Sequence, residues 1–98
     1  MTDYVTFNDL KPIPWDITKG SIDMLSYPEV EFQITGITSA YTLQRSMDNI
    51  HWSNWYVFNY AGNQLSSISS DGIYLTDGSS YLRLVGGSGA TVAVRGGF

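Results

Sequence analysis

Two segments of this chain have an alternation of period two, and this alternation restricts the fold more than any other pattern. Residues 29 to 35 read EVEFQIT, which places Val30, Phe32 and Ile34 on one face. In residues 41 to 47, YTLQRSM, one face contains Tyr41, Leu43, Arg45 and Met47, and the other contains Thr42, Gln44 and Ser46. A period of two is the signature of a half-buried antiparallel strand, and no segment has the period of an amphipathic helix. Both segments are therefore predicted to be strands that cover one core.

Turn signals divide the rest of the chain into short stretches. Asp48-Asn49, Asp71-Gly72 and Asp77-Gly78 combine side chains that bond to local backbone with residues that tolerate positive φ. Further strands are predicted at residues 22 to 25, 55 to 60, 65 to 69, 73 to 75, 81 to 85 and 90 to 95. About eight short strands indicate an all-β sandwich or small barrel. We expect a single antiparallel β-sandwich, jelly-roll or immunoglobulin-like, with an extended N-terminal arm.

The 98 residues are enough for one folded domain and too few for two independent cores. We expect residues 1–19 to form the extended N-terminal arm and residues 20–98 to form the β-sandwich domain. Pro12 and Pro14 disfavour helical geometry in the residues that precede them. The arm is too rich in apolar side chains for a disordered tail, so these side chains should be buried. Either the arm packs along its own domain, or it lies across a neighbouring subunit.

Composition excludes several classes of function. Five Lys and Arg against nine Asp and Glu give a net charge of -4, which argues against nucleic-acid binding because phosphate groups require a basic face. No apolar run approaches the ~20 residues of a membrane-spanning helix, so we expect no membrane association. Only 14% of residues are charged, against about 25% in an average soluble domain. Such a surface is covered either by small polar groups or by partners.

Residues capable of catalysis or metal binding form no recognisable constellation. His51 is the only histidine, and a catalytic triad would need it beside a serine and an acid that the sequence cannot place. Asp48, Asp71 and Asp77 all lie in turns, but their spacing is not that of an EF-hand loop, and backbone geometry already explains them. The chain has no cysteine for a thiolate site. We therefore expect no enzyme activity, no metal and no cofactor.

The segment from Ser46 to Trp52, SMDNIHW, resembles the S-x-D-G-x-x-W hairpin of bacteriophage virion β-sandwich domains and of some galactose-binding-like modules. Asn49 stands where glycine is usual, and asparagine also tolerates the positive φ of such a turn. Later elements of these domains are resembled, in order, by residues 70–74 (SDGIY), 80–84 (SYLRL) and 90–94 (ATVAV). The resemblance covers roughly residues 28 to 95. It implies a capsid decoration, tail or baseplate protein, with Trp52 in the core beneath the hairpin.

The predicted strand from Trp55 to Tyr60 is dense in aromatic side chains. A strand would place Trp55, Val57 and Asn59 on one face, and Tyr56, Phe58 and Tyr60 on the other. One set faces the core, and the other leaves an apolar patch of the kind that marks an interface. The candidate interface residues of arm and strand are Tyr4, Phe7, Leu10, Ile13, Trp15, Trp55, Tyr56, Phe58 and Tyr60.

These observations predict a structural protein of a bacteriophage particle, made in the host cytoplasm and located in the virion. It would act through contacts with other virion proteins, as a homo-oligomer or in many copies on a symmetric assembly. The alternative is a carbohydrate-binding module or adhesin whose partner is a glycan. That function requires at least one of Trp15, Trp55 and Tyr56 to be exposed beside polar turn residues, because sugars are bound by ring faces and hydrogen bonds together.

Overall fold

The computed structural model describes residues 11–97, which form ten strands in two sheets. The strands are β1 (Ile13–Trp15), β2 (Ile22–Asp23), β3 (Glu29–Thr35), β4 (Thr42–Ser46), β5 (Ser53–Asn54), β6 (Val57–Asn59), β7 (Gln64–Leu65), β8 (Gly72–Asp77), β9 (Tyr81–Val85) and β10 (Thr91–Gly97). A single turn of 3-10 helix spans Ile17–Lys19, and no α-helix occurs within residues 11–97.

The two sheets are antiparallel throughout. The six-stranded sheet has the order β1-β10-β3-β8-β6-β7, and the four-stranded sheet has the order β2-β9-β4-β5. All strand pairings within them are antiparallel. One hydrophobic cluster takes side chains from both sheets. The predicted all-β sandwich is confirmed.

The core is built from the alternating positions of the long strands. Val30, Phe32 and Ile34 of β3 are each at most 1% exposed, as their spacing predicted. Leu43 of β4 and Leu82 of β9, which belong to the four-stranded sheet, are equally buried. Burying a side chain of this size stabilises the fold by about 1.5–3 kcal/mol. On β3, the polar positions that alternate with this buried face, Glu29, Glu31, Gln33 and Thr35, face outward.

The described part of the N-terminal arm packs along its own domain. β1 pairs with β10, with Trp15 opposite Val92. The Trp15 side chain is 5% exposed and meets the Phe32 ring edge-on at 6.1 Å between centroids. β1 is an edge strand, and Pro14 is tolerated there because proline has no N–H to donate to a further strand.

The stretch from Trp55 to Tyr60 is not the single return strand that its alternation predicted. β5 pairs with β4 in the four-stranded sheet, whereas β6 pairs with β8 in the six-stranded sheet. Trp55 and Tyr56 carry the chain from one sheet to the other. The Trp55 N–H still donates to the Leu43 carbonyl at 2.8 Å, and the crossing follows directly after this bond.

Tyr27, between β2 and β3, lies against two glycines that allow its close approach. A Cβ on Gly78 would lie 1.8 Å from the Tyr27 carbonyl oxygen, and a Cβ on Gly96 would lie 2.1 Å from Tyr27 Cγ. The Gly78 N–H donates to the Pro28 carbonyl at 2.9 Å. The glycine of the Asp77-Gly78 pair is therefore required by the packing of this turn.

Candidate functional site

The outward side chains of β3, β6, β8 and β10 form one surface, called here the outer face of the six-stranded sheet. Cross-strand register aligns these side chains in rows. One row contains Arg95, Glu31, Leu75 and Phe58, and the next row contains Glu29 and Asp77. Apolar and charged groups therefore meet on this face, outside the core.

Three aromatic rings, Trp55, Tyr56 and Phe58, lie in a row that starts beside Arg45 of the four-stranded sheet and reaches this face at Phe58; they are called the aromatic strip. Trp55 and Tyr56 are stacked, with centroids 4.6 Å apart and ring planes 23° from parallel. Tyr56 meets Phe58 edge-on at 5.5 Å. All three rings are only half-buried, and Phe58 is the cross-strand partner of Leu75. The strip is therefore a contiguous apolar surface that the rest of the described chain leaves partly uncovered.

The structure brings Trp55 and Tyr56 together, although a strand would place them on opposite faces. Alternation holds only for residues that pair within one sheet, and these two residues lie between β5 and β6. The Arg45 guanidinium covers Trp55, with its central carbon 4.4 Å from the ring centroid. A cation placed over an indole ring in this way is attracted by the ring quadrupole. Trp55 is therefore held from two sides of the chain, by Arg45 and by Tyr56.

Tyr60, the last of the predicted aromatic residues, is 50% exposed and belongs to a charged cluster. Its hydroxyl donates to Glu31 Oε2. Arg95 Nε donates to Glu31 Oε1 at 2.7 Å, and this ion pair is largely covered. The arginine that pairs with Glu31 is thus Arg95 of the neighbouring strand β10, whereas Arg45 and Arg83 lie on the four-stranded sheet.

Next to the aromatic strip, the outer face contains a groove of about 320 Å³. Glu29, Phe58, Leu75, Thr76 and Asp77 line it. Glu29 and Asp77 are cross-strand partners, so their carboxylates project from neighbouring positions. Thr76 Oγ1 donates to the Tyr56 carbonyl at 2.9 Å, which fixes the strip to the end of β8. The groove and the strip are therefore parts of one surface.

The Ser46–Trp52 turn is held by its own side chains. Ser46 Oγ accepts hydrogen bonds from the N–H groups of Asp48 and Asn49 at 3.2 and 2.9 Å. Asp48 Oδ1 accepts from the N–H groups of Ile50 and His51 at 2.9 and 2.8 Å. Asn49 has a φ of 61°, the positive value that the turn was predicted to need. The bonds from the His51 backbone and side chain hold the pKa of the Asp48 carboxyl well below its ordinary 3.8.

This turn brings a serine, an acid and the only histidine together, but not in the order of a catalytic triad. His51 Nδ1 lies 2.7 Å from Asp48 Oδ2, and Ser46 Oγ donates to Asp48 Oδ1 at 2.9 Å. The acid thus stands between the serine and the histidine, whereas a triad needs the histidine in the middle. Ser46 is also only 3% exposed. The Ser46 hydroxyl therefore stabilises the turn by accepting hydrogen bonds from backbone N–H groups.

Trp52 does not lie in the core, which corrects the position implied by the resemblance. It is half-buried, and the Arg83 guanidinium carbon lies 4.2 Å from its ring centroid. Arg83 Nε also donates to Gln44 Oε1 at 2.7 Å, and Gln44 Nε2 donates to Asn54 Oδ1 at 2.9 Å. These groups form a polar row across β9, β4 and β5. The four-stranded sheet therefore presents a hydrogen-bonded polar surface in place of an apolar one.

The remaining predicted interface residues are divided between surface, core and undescribed chain. Ile13 is 55% exposed, whereas Trp15 is buried. Tyr4, Phe7 and Leu10 lie outside the described residues. Within residues 11–97, no three or more His, Asp or Glu side chains are grouped so as to hold a metal ion. No helix in the same range has the length and apolarity to span a membrane.

Fold and surface together define an antiparallel two-sheet β-sandwich with an aromatic strip beside one sheet face. Comparison of the chain with protein-family models, with curated proteins and with solved structures found no match.

Proposed function

We propose that this protein is a structural component of a bacteriophage particle, a capsid decoration or a tail or baseplate component, that acts by protein-protein contact. The proposal joins the order of virion-like sequence elements to a surface suited to such contact. The chemistry involves no bond making or breaking. Binding follows from the burial of apolar area and from shape.

The observation that carries the proposal is the aromatic strip of Trp55, Tyr56 and Phe58. The cores of protein interfaces are enriched in aromatic residues and arginine, and depleted in other charges. The strip has this composition, since Arg45 lies over Trp55 and Leu75 lies beside Phe58. A contiguous, partly exposed apolar patch of this kind is typical of a surface that a partner covers.

Repeated copies on a symmetric particle would strengthen such a contact. A second attachment to the same particle is effectively intramolecular, so modest single-site affinity becomes tight overall binding. A strip of three rings is small for a permanent interface. It is sufficient when many copies act together.

The glycan alternative has less support, because the tryptophan rings are already engaged by protein groups. Trp15 is buried, Trp55 is stacked with Tyr56 and contacted by Arg45, and Trp52 is contacted by Arg83. A sugar that stacked on Trp55 or Trp52 would have to compete with these contacts. A protein partner can instead cover the strip while these contacts remain in place.

The test is whether the chain sediments with assembled phage particles, and whether the aromatic strip is needed. Particles are purified by density gradient from lysates in which a tagged chain replaces the wild type, and the tag is quantified by mass spectrometry. Tyr56→Ser with Phe58→Ser should lower incorporation at least about tenfold, because aromatic residues at the centre of an interface carry most of its binding energy.

The matched control is Ile50→Ser, which removes an apolar side chain that is 73% exposed on the Ser46–Trp52 turn, away from the strip. This variant should be incorporated like the wild type. Absence of the wild-type chain from the particles would refute the virion function. Normal incorporation of the double variant, with a normal melting curve, would refute the role of the strip.

A further inference from the structure

Two acidic side chains stand apart from all the others in the described chain. Residues 11–97 contain seven Asp and Glu residues, of which five accept hydrogen bonds at 3.1 Å or less: Asp16, Asp23, Glu31, Asp48 and Asp71. Glu29 and Asp77 have no hydrogen bond or ion pair with another described residue. These two are register partners across β3 and β8, on the outer face. The acids without a partner are therefore neighbours of each other.

This arrangement works against the stability of the isolated protein. Like charges directly opposite each other on a sheet face are destabilising. The turn after β8 does not need the aspartate, because Gly78 alone accounts for the close approach to Tyr27. The fold thus contains two adjacent negative charges that it does not use.

Beside these carboxylates, the walls of the groove are mainly apolar. Phe58 and Leu75 are cross-strand partners on β6 and β8. Thr76 is buried, and its hydroxyl already donates a hydrogen bond to the Tyr56 carbonyl. A volume of about 320 Å³ is at the lower end of ligand pockets, which span roughly 300–1,000 Å³. The groove therefore suits one long side chain better than a bulky ligand.

We propose that this groove receives a lysine or arginine side chain of the protein partner, with its methylene groups on Phe58 and Leu75 and its charge between Glu29 and Asp77. This inference rests on the proposed function and names the chemistry of the contact. Lysine and arginine side chains place their stems along apolar surface while the charged head reaches a polar group. Hydrogen bonds between ions are roughly twice as strong as those between neutral groups.

The position of the groove beside the aromatic strip defines the partner segment further. Tyr56 belongs to the strip and is bonded through its carbonyl to Thr76 of the groove. A segment that seats its basic side chain in the groove therefore has apolar neighbours over the strip. Two carboxylates at the rim also repel phosphate groups, which disfavours a nucleic acid as the occupant. Charge complementarity thus selects a basic segment with apolar flanks.

The experiment is a titration of the 15N-labelled protein, followed by NMR, with a capped synthetic pentapeptide that carries one central arginine flanked by leucines. A matched peptide has glutamine in place of the arginine. The arginine peptide should shift the amide signals of Glu29, Phe58, Leu75 and Asp77, and the glutamine peptide should bind at least about fivefold more weakly. Equal binding of the two peptides, or shifts confined to another part of the protein, would overturn the inference.

The variant Glu29→Gln with Asp77→Asn tests the two carboxylates directly. It should bind the arginine peptide at least about fivefold more weakly, while its melting temperature at neutral pH rises by roughly 1–4 °C because the repulsion is gone. The control Asp16→Asn with Asp23→Asn removes the same net charge outside the groove and should bind like the wild type. Unchanged binding by the groove variant would refute the inference, whatever its stability.

The outcomes separate this inference from the proposed function. If the arginine peptide does not bind but the strip variant is lost from particles, the groove inference is wrong and the proposed function stands. If the peptide binds at the groove but the wild-type chain is absent from particles, the groove is a binding site and the virion function is wrong.

Discussion

Asp48 and Asp77 occupy similar places in the sequence, each followed by a residue suited to a turn, yet the fold uses them in opposite ways. The Asp48 carboxylate accepts hydrogen bonds from Ser46, Ile50 and His51. The Asp77 carboxylate has no bond with a described residue, and it faces Glu29. A turn signal therefore locates the turn but does not reveal whether its acid is needed by the fold.

The difference lies in which atoms stabilise each turn. At Asp48 the side chains of the turn satisfy its backbone N–H groups, as Ser and Asp commonly do. At Asp77 the turn is stabilised by backbone, because Gly78 lets the chain approach the Tyr27 carbonyl. An acid that the turn does not use remains available for a partner.

The largest effect is expected from Gly78→Ala, which tests whether this glycine carries the turn alone. The new Cβ would lie 1.8 Å from the Tyr27 carbonyl oxygen and 3.2 Å from the Pro28 carbonyl carbon, so backbone must move. The free energy of unfolding, measured in urea, should fall by about 3 kcal/mol or more.

Gly72→Ala is the matched control for that change, because Gly72 also follows an aspartate. A Cβ at Gly72 meets only the Tyr74 ring, at 3.6 Å or more, which is an ordinary contact. Its stability should change by less than about 1 kcal/mol. Equal losses in the two variants would show that the close approach to Tyr27 is not what makes Gly78 necessary.

A smaller effect is expected from Ser46→Ala, which tests the side-chain bonding of the Asp48 turn. Ser46 is 3% exposed, and its hydroxyl accepts from two backbone N–H groups and donates to Asp48. The variant should lose about 1–3 kcal/mol of unfolding free energy in urea, because these donors lose their partner inside a covered turn.

Ser67→Ala provides the comparison, since Ser67 is exposed and has no hydrogen bond from its side chain to a described residue. It should stay within about 0.5 kcal/mol of the wild type. If Ser46→Ala also leaves the free energy of unfolding unchanged, the backbone alone stabilises this turn as well.

The smallest effect is expected on the melting temperature at low pH, which tests the carboxylates that accept hydrogen bonds within the fold. Hydrogen bonds from the N–H groups of Gly36 and Ile37 lower the pKa of the Asp71 carboxyl below 3.8. Hydrogen bonds from His51 likewise lower the pKa of the Asp48 carboxyl. A lowered folded-state pKa means that the stabilisation is complete above 3.8 and is lost as pH falls through the folded value. The melting temperature should therefore be level near neutral pH and decline below pH ~4.

Asp71→Asn should make this acid decline shallower, because one of the responsible groups no longer titrates. Its melting temperature at neutral pH should be lower than that of the wild type, since an amide oxygen replaces only one of the two accepting oxygens. Melting curves between pH ~2 and ~7 decide the matter. A decline as steep as that of the wild type would show that Asp71 does not contribute to it.

The sequence predicted the parts of the fold that depend on local periodicity. The alternation of Val30, Phe32 and Ile34 gave the buried face of β3, and residues 81 to 85 gave β9 with its predicted bounds. The positive φ of Asn49 was also predicted from residue type. Each of these properties follows from the conformational preferences of neighbouring residues.

The candidate site could be predicted only in part. Trp55, Tyr56, Phe58 and Tyr60 were identified as aromatic residues for an interface, and the structure places the first three in one strip. Their arrangement could not be predicted, because no local signal shows that β5 pairs with β4 over only two residues before the chain crosses to the other sheet. The groove was missed as well, since Glu29 and Asp77 lie 48 positions apart and become neighbours only through the pairing of β3 with β8.

The sequence by itself determined the class of fold, the inward face of β3 and the turns at Asp48-Asn49 and Asp77-Gly78. Only the tertiary structure decided which aromatic rings stack, which arginine pairs with Glu31 and which carboxylates remain without a partner. The physical reason is the separation along the chain over which each interaction acts. Backbone preference and alternation act between residues close in the chain, whereas a surface is assembled from strands whose pairing is set by the packing of the whole core.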